Sequence, residues 1–286
     1  MSGPATLVFR SGRRLVVGER PLLMGVLNVT PDSFSDGGRF LAPDAAVAHA
    51  LALVADGADI LDIGGESTRP GAAPVDAAEE LRRVLPVVER LSREAPVPLS
   101  VDTYRAATAA RVLAAGADIV NDVTALRADP AMGPLVAREE AALILMHATG
   151  LPGGFHDPAL RGSPPSRVVE ELARAAGAAE AAGVAADRIF LDPGIGFGKT
   201  QEDNLALIRE LPRLKSLGRP VVVGPSMKSF IGRTLDEPDM AARAAGTAAA
   251  VAVAAFLGAD VVRVHDVATM RRVARVAHAI RTARAG

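Results

Sequence analysis

The sequence predicts an α/β protein, a (β/α)8 TIM barrel with an N-terminal β-hairpin. Three observations carry that expectation. Short apolar runs of strand character alternate with Ala/Leu/Arg stretches of helical periodicity. One junction, Gly-Ala-Asp, recurs at residues 57–59, 116–118 and 258–260, each time between a helical stretch and the next apolar run. Nearly every apolar run ends in polar side chains, the pattern of barrel strands whose C-terminal ends carry chemistry.

Taken in order, residues 6–9 and 15–17 flank Ser11-Gly12 and read as a hairpin outside the barrel. Eight strands follow at 22–27, 60–63, 99–101, 119–120, 143–146, 189–191, 221–223 and 261–264. Continuous apolar runs suit strands buried on both faces, as in a parallel sheet. Apolar stripes at helical spacing fall at 45–55, 77–91, 106–115 and 168–182. The glycine of each Gly-Ala-Asp copy can end its helix in the left-handed conformation. The stretch 240–257 is apolar nearly all round, so core or a second subunit must cover it. No linker divides residues 1–286, which predicts one domain, and eight strands in that length fit a barrel better than an open doubly wound sheet.

Composition narrows the function. A net charge of −1 gives no electrostatic case for nucleic acid. Absence of cysteine removes disulfides, thiolate metal sites and a Cys nucleophile. The N-terminal residues lack the apolar core of a signal peptide, and residues 244–259 are too short and weakly apolar for a membrane span, so a cytoplasmic protein is expected. Basic residues are overwhelmingly Arg, with Lys only at Lys199, Lys215 and Lys228.

The polar strand ends are Asn28, the segment from Glu66 to Arg69, Asp102, Asn121 and Asp122, His147, Asp192, Ser226 and Lys228, and Arg263 with His265. In a barrel they gather at one mouth. Arg263 and His265 are two apart and point the same way, leaving Val262 and Val264 to face the helices. An inward Arg needs a partner: an anionic ligand, or a salt bridge to Asp62, Asp102 or Asp192. A carboxylate such as Asp102 or Asp192 accepts two parallel hydrogen bonds from the planar N–H/NH2 edge of an aminopyrimidine, and paired carboxylates also serve divalent metals or acid–base chemistry. Spacing leaves these open. The GKT at 198–200 is not a phosphate loop, because Pro193 stands where that motif needs Gly. Segments 30–43 and 66–75 are long enough for lids. His147 is a ligand or a packed residue, His49, His156 and His278 face solvent, and Glu79, Glu80, Arg82 and Arg83 read as a solvated helix face.

The segments LMGVLNVTPDSFSDGGRF, GADILDIGGESTRPGA, SVDT, GADIVNDVT, LMH, LDPGIGFGKT, SMKSFIG and VRVHDV, in that order across residues 21–267, closely resemble the dihydropteroate synthase family. The resemblance implies a single pterin-binding barrel domain. It implies condensation of 6-hydroxymethyl-7,8-dihydropterin pyrophosphate with p-aminobenzoate, giving 7,8-dihydropteroate and pyrophosphate, with Mg2+ as cofactor and a homodimer. By the same resemblance Asn28 coordinates Mg2+. Arg263 and His265 hold the diphosphate, and Arg263 stacks on the pterin. Asp102, Asn121, Asp192 and Lys228 line the pterin pocket. Phe34, Asp36, Thr68, Arg69, Pro70 and Ser229 shape the aminobenzoate site, with Asp36 placed to stabilise a cationic methylene. Met227, Ala148 and Pro225 depart from the usual family residues. Two other readings are a pterin-binding paralogue without synthase activity and a methyltetrahydrofolate methyltransferase-like domain.

Overall fold

The computed structural model describes residues 3–30, 38–66, 75–151 and 162–283. A hairpin of β1 (Ala5–Val8) and β2 (Arg14–Val17) precedes the barrel. The barrel strands are β3 (Leu22–Asn28), β4 (Ile60–Gly64), β5 (Leu99–Asp102), β6 (Ile119–Asp122), β7 (Ala142–Met146), β8 (Ile189–Asp192), β9 (Val222–Val223) and β10 (Val261–Val264). They form one parallel sheet in the order β8-β7-β6-β5-β4-β3-β10-β9. A parallel bridge between Leu191 and Val221, with the Leu191 N–H donating to the Pro220 carbonyl at 2.9 Å, brings the two edge strands together. Helices alternate with the strands: α1 (Gly38–Ala55), α2 (Ala77–Glu94), α3 (Ala106–Ala114), α4 (Met132–Arg138), α5 (Pro165–Ala181), α6 (Gln201–Arg209), α7 (Leu211–Lys215), α8 (Ser229–Leu235), α9 (Ala244–Leu257) and α10 (Val267–Thr282). The α1 helix begins earlier than position 45, running through Pro43 despite that residue's missing N–H.

Strand alternation sorts the core into two layers. Outward residues such as Leu23, Leu61, Val101, Val120, Leu143, Leu191 and Val262 pack against the helices. Inward residues of the lower barrel, Leu22, Met24, Ile60, Ile119, Ile144, Phe190 and Val261, form a second cluster that the hairpin closes with Leu7, Phe9, Leu15 and Val17. One step higher the same inward rows turn polar, at Asn28, Asp62, Ser100, Asp102, Asn121, Asp192 and Arg263.

The Gly-Ala-Asp junctions are more than turns. Gly57, Gly116 and Gly258 have φ of 102°, 104° and 101°, which glycine adopts freely. The following aspartates, Asp59, Asp118 and Asp260, accept the N–H of Leu23, Leu99 and Val221 at 2.9, 2.9 and 2.6 Å. Each carboxylate thus fastens a neighbouring strand, and each also meets a cation: Arg20, Arg13 and Lys215 respectively. No helix among the described residues is long and apolar enough to cross a membrane.

Candidate active site

Asp62 organises the upper barrel. It is fully buried, and its Oδ1 accepts the Ser100 hydroxyl at 2.7 Å. Its Oδ2 accepts Arg263 Nε at 2.6 Å and Asn121 Nδ2 at 3.2 Å. The Arg263 guanidinium reaches on to Asp102 Oδ2 at 3.3 Å. Of the two partners open to Arg263, the protein itself therefore supplies one, a pair of carboxylates. That fixes the guanidinium plane across the mouth from β10 to β4 and β5. It also orients Asn121, whose own Oδ1 is buried without a hydrogen-bond partner. A buried unsatisfied acceptor is costly, and at the mouth of the barrel a water or a ligand can bring the missing donor.

Across the mouth, Asp192 ends β8, and its Oδ1 accepts the Gly194 N–H at 2.7 Å. Lys228, immediately before α8, reaches over the Phe197 ring at 4.8 Å and donates to the Ile195 carbonyl at 2.5 Å. Gly224 brings the two halves together: a Cβ there would lie 3.6 Å from Arg263 Cβ and 3.8 Å from Lys228 Nζ. Burial, reinforced by the Asp62 carboxylate and opposed by Arg263, pushes the Asp102 carboxyl up to about 8. Burial raises Asp192 as well, against the pull of Lys228. Burial lowers Lys228 to about 8, with Asp192 opposing.

Asn28 closes β3. Its Oδ1 lies 3.9 Å from the point a Cβ on Gly64 would occupy, on the same side as the Asp102 side chain. His265 is exposed and sits 3.0 Å from Ser226 Oγ through Nδ1. Ser229 is exposed at the start of α8. Met227 has φ of 59° and is wired to α9, its N–H donating to Thr247 Oγ1 at 3.1 Å and its carbonyl accepting Arg243 Nη1 at 3.1 Å. Phe34, Asp36, Thr68, Arg69 and Pro70 lie outside the described residues.

Some polar strand ends serve the fold instead. Asp122 accepts N–H bonds from Thr124 and Leu126 and shapes the turn after β6. His147 is buried, with Nε2 2.8 Å from Glu171 Oε2. Glu80 is no solvated residue: it is buried, accepts the Thr108 hydroxyl at 2.7 Å and pairs with Arg105 at 3.0 Å. Arg105 comes from beyond β5, so local charge spacing on α2 gave no sign of it. In the sequence Asp62 stands only as one salt-bridge partner open to Arg263, yet a lone Asp inside ILDIG is a buried-polar signal. A cavity of about 300 Å3 opens at the opposite end of the barrel, but its polar side chains bond one another, Ser11 to Asp118 and Arg10 to Glu139.

The mouth of this parallel barrel thus gathers carboxylate acceptors, an orphaned amide oxygen and two cations, and the pattern of the family "Pterin binding enzyme" matches residues 24–265, which sets the chain in the pterin-binding class. The chain is 46% identical over 263 residues to dihydropteroate synthase of Synechocystis, covering 92% of this chain and 91% of that one. It is 45% identical over 262 residues to the Bacillus subtilis dihydropteroate synthase, covering 92% and 89%. Among solved structures, the Xanthomonas albilineans dihydropteroate synthase with 4-aminobenzoic acid superposes with a TM-score of 0.87 at 45% identity, covering 96% and 97%. The same enzyme in complex with 7,8-dihydropteroate gives 0.86 at 42%, covering 98% and 100%. The chain belongs to the dihydropteroate synthase family, the pterin-binding transferases of folate biosynthesis.

Proposed function

We propose that the barrel mouth performs this family's condensation through the residues assembled there. In the reaction the arylamine nitrogen of p-aminobenzoate bonds to the methylene carbon of the dihydropterin. The carbon–oxygen bond to pyrophosphate breaks with its electron pair leaving on the diphosphate, and the amine nitrogen gives up a proton. The amine is neutral and the leaving group good, so the protein has two tasks: to hold the ring and to stabilise departing charge.

Asp192 accepts the planar N–H/NH2 edge of the pterin, and Asn121 Oδ1 takes a further ring donor. The observation that carries this reading is that unpartnered Asn121 oxygen, held between Asp62 and the open mouth. Asp102 and Lys228 border the ring, and Arg263, its plane locked by Asp62 and Asp102, stacks on it and faces the diphosphate with His265. Ser229 belongs to the aminobenzoate side. We assign Phe34, Asp36, Thr68, Arg69 and Pro70 to that side on the strength of the motifs alone.

The residues present fit Mg2+. Asn28 Oδ1 is a hard oxygen donor at the end of β3, and Mg2+ takes few protein ligands while keeping phosphate oxygens and water. When bound, Mg2+ neutralises charge on the diphosphate. We also propose that the chain works as a homodimer through α9 and α10.

The test is pyrophosphate release on mixing pterin pyrophosphate, p-aminobenzoate and Mg2+ with the protein. No release would leave a pterin-binding protein without synthase activity. Arg263→Ala is expected to weaken the diphosphate-bearing substrate about 30-fold or more beyond any loss for the bare pterin alcohol, the scale of a lost charge-assisted hydrogen bond. Equal losses for both ligands would restrict Arg263 to stacking.

A further inference from the structure

Lysine is scarce here, with three residues among 32 basic Lys and Arg side chains. Two of the three meet on one loop. Lys228 donates to the Ile195 carbonyl, and Lys199 donates to the carbonyls on both sides of it, Gly194 at 3.2 Å and Phe197 at 3.0 Å. Lys199 also donates to the His147 carbonyl, just past β7, at 3.1 Å, and is itself only 5% exposed. Three carbonyl oxygens converging on one buried point repel one another unless a donor lies between them. An ammonium nitrogen carries three N–H bonds, whereas no nitrogen of a guanidinium carries more than two.

What the loop holds gives this its meaning. Gly194 runs so close to β7 that a Cβ on it would stand 1.8 Å from the His147 oxygen, and Lys199 bonds both of those residues' carbonyls. The Gly194 N–H orients the Asp192 carboxylate at 2.7 Å, and the Asp192 carbonyl accepts the His147 N–H at 2.9 Å. Ile195 and Phe197 seat Lys228.

We propose that Lys199 is a positioning residue for the pterin pocket: its ammonium gathers the carbonyls of His147, Gly194 and Phe197 and so holds residues 193–198 in the form that aims Asp192 and seats Lys228. The role rests on the assignment of Asp192 and Lys228 to the pterin pocket. It requires a donor of three N–H bonds at this site, which the protonated Lys199 supplies even though burial, opposed by Asp192, pushes it down to about 7, in a chain that uses Arg almost everywhere else.

Lys199→Met and Lys199→Arg, made in the full chain beside Asp192→Ala, test it. Binding of the pterin alcohol is read by calorimetry, KM for p-aminobenzoate at saturating pterin pyrophosphate by initial rates, and folding by thermal melting. Both Lys199 variants are expected to lose about 30-fold or more in pterin affinity, while the p-aminobenzoate KM moves about threefold at most. Arg is expected not to rescue. Pterin affinity within about threefold of the parent in either variant overturns the proposal. So does equal loss for both substrates, or failure of both variants to fold, since Lys199 is then a support of the barrel alone. If Asp192→Ala keeps its pterin affinity, the pocket assignment itself fails, a result distinct from retention in the Lys199 variants only.

Discussion

At the scale of single residues, burial sets the chemistry of this mouth more than sequence neighbours do. His147 shows it. Its ring meets the Glu171 carboxylate, which favours the charged form, yet burial and the Lys199 ammonium, with Arg127 adding to them, hold it down to about 4 from an ordinary 6.5. The folded protein therefore refuses a proton that the unfolded chain accepts. The stability this confers is complete above pH 6.5 and is lost as pH falls toward 4. The raised Asp102 and Asp192 carboxyls act in the opposite direction across the same window, so the expected signature of His147 is the difference it makes: His147→Gln should remove its share of the acid-side loss in melting temperature. An unchanged loss would place the acid sensitivity elsewhere. The polar strand ends were legible in the sequence because each interrupts an apolar run. Which of them face a ligand was not, because that depends on partners brought from other strands: Asp122 turns to its own loop, whereas Asn121 keeps a free oxygen.

At the scale of elements, the repeated junction was legible and its full role was not. Glycine announced where the helices end. That the next aspartate fastens a neighbouring strand emerges only once the strands are side by side. The copies differ in burial, and that predicts a ranking. The Asp118 and Arg13 side chains are 1% and 8% exposed, while Asp59 and Arg20 are 18% and 49% exposed. Asp118→Ala leaves Arg13 charged and buried, and also strips the Leu99 N–H and the Ser11 hydroxyl of their acceptor. It is expected to destabilise by about 3–5 kcal/mol. Asp59→Ala leaves a solvated Arg20 and one strand N–H, for about 1 kcal/mol. Denaturant titration of the two variants reads the difference, and equal losses would mean that burial does not govern these junctions. Neither change reaches the mouth, so kcat of the folded fraction should hold in both.

At the scale of the whole molecule, the barrel separates its tasks by position. The hairpin and lower inward residues make a closed apolar floor, and the mouth carries the charges. The flank formed by α9 and α10 has neither role. The sequence marked residues 240–257 as apolar nearly all round, and the structure covers only part of that surface. Val253 and Phe256 on α9 stay 46% and 48% exposed, and Val276 and Ile280 on the adjacent α10 stay 61% and 62% exposed. A stable interface needs about 800 Å2 from each partner, more than four side chains provide. The exposed Ala245, Ala249 and Ala279 on the same helices extend the surface and let a second chain approach closely. The proposed twofold dimer on this flank would bury the same patch from both chains. Val276→Asp combined with Ile280→Asp places two charges where the proposed contact would exclude water. Sedimentation is expected to show a dimer for the parent and a single chain for the double variant, with the melting temperature lowered because the uncovered flank returns to water. A parent that sediments as a single chain, or a double variant that still sediments as a dimer, would put the interface elsewhere.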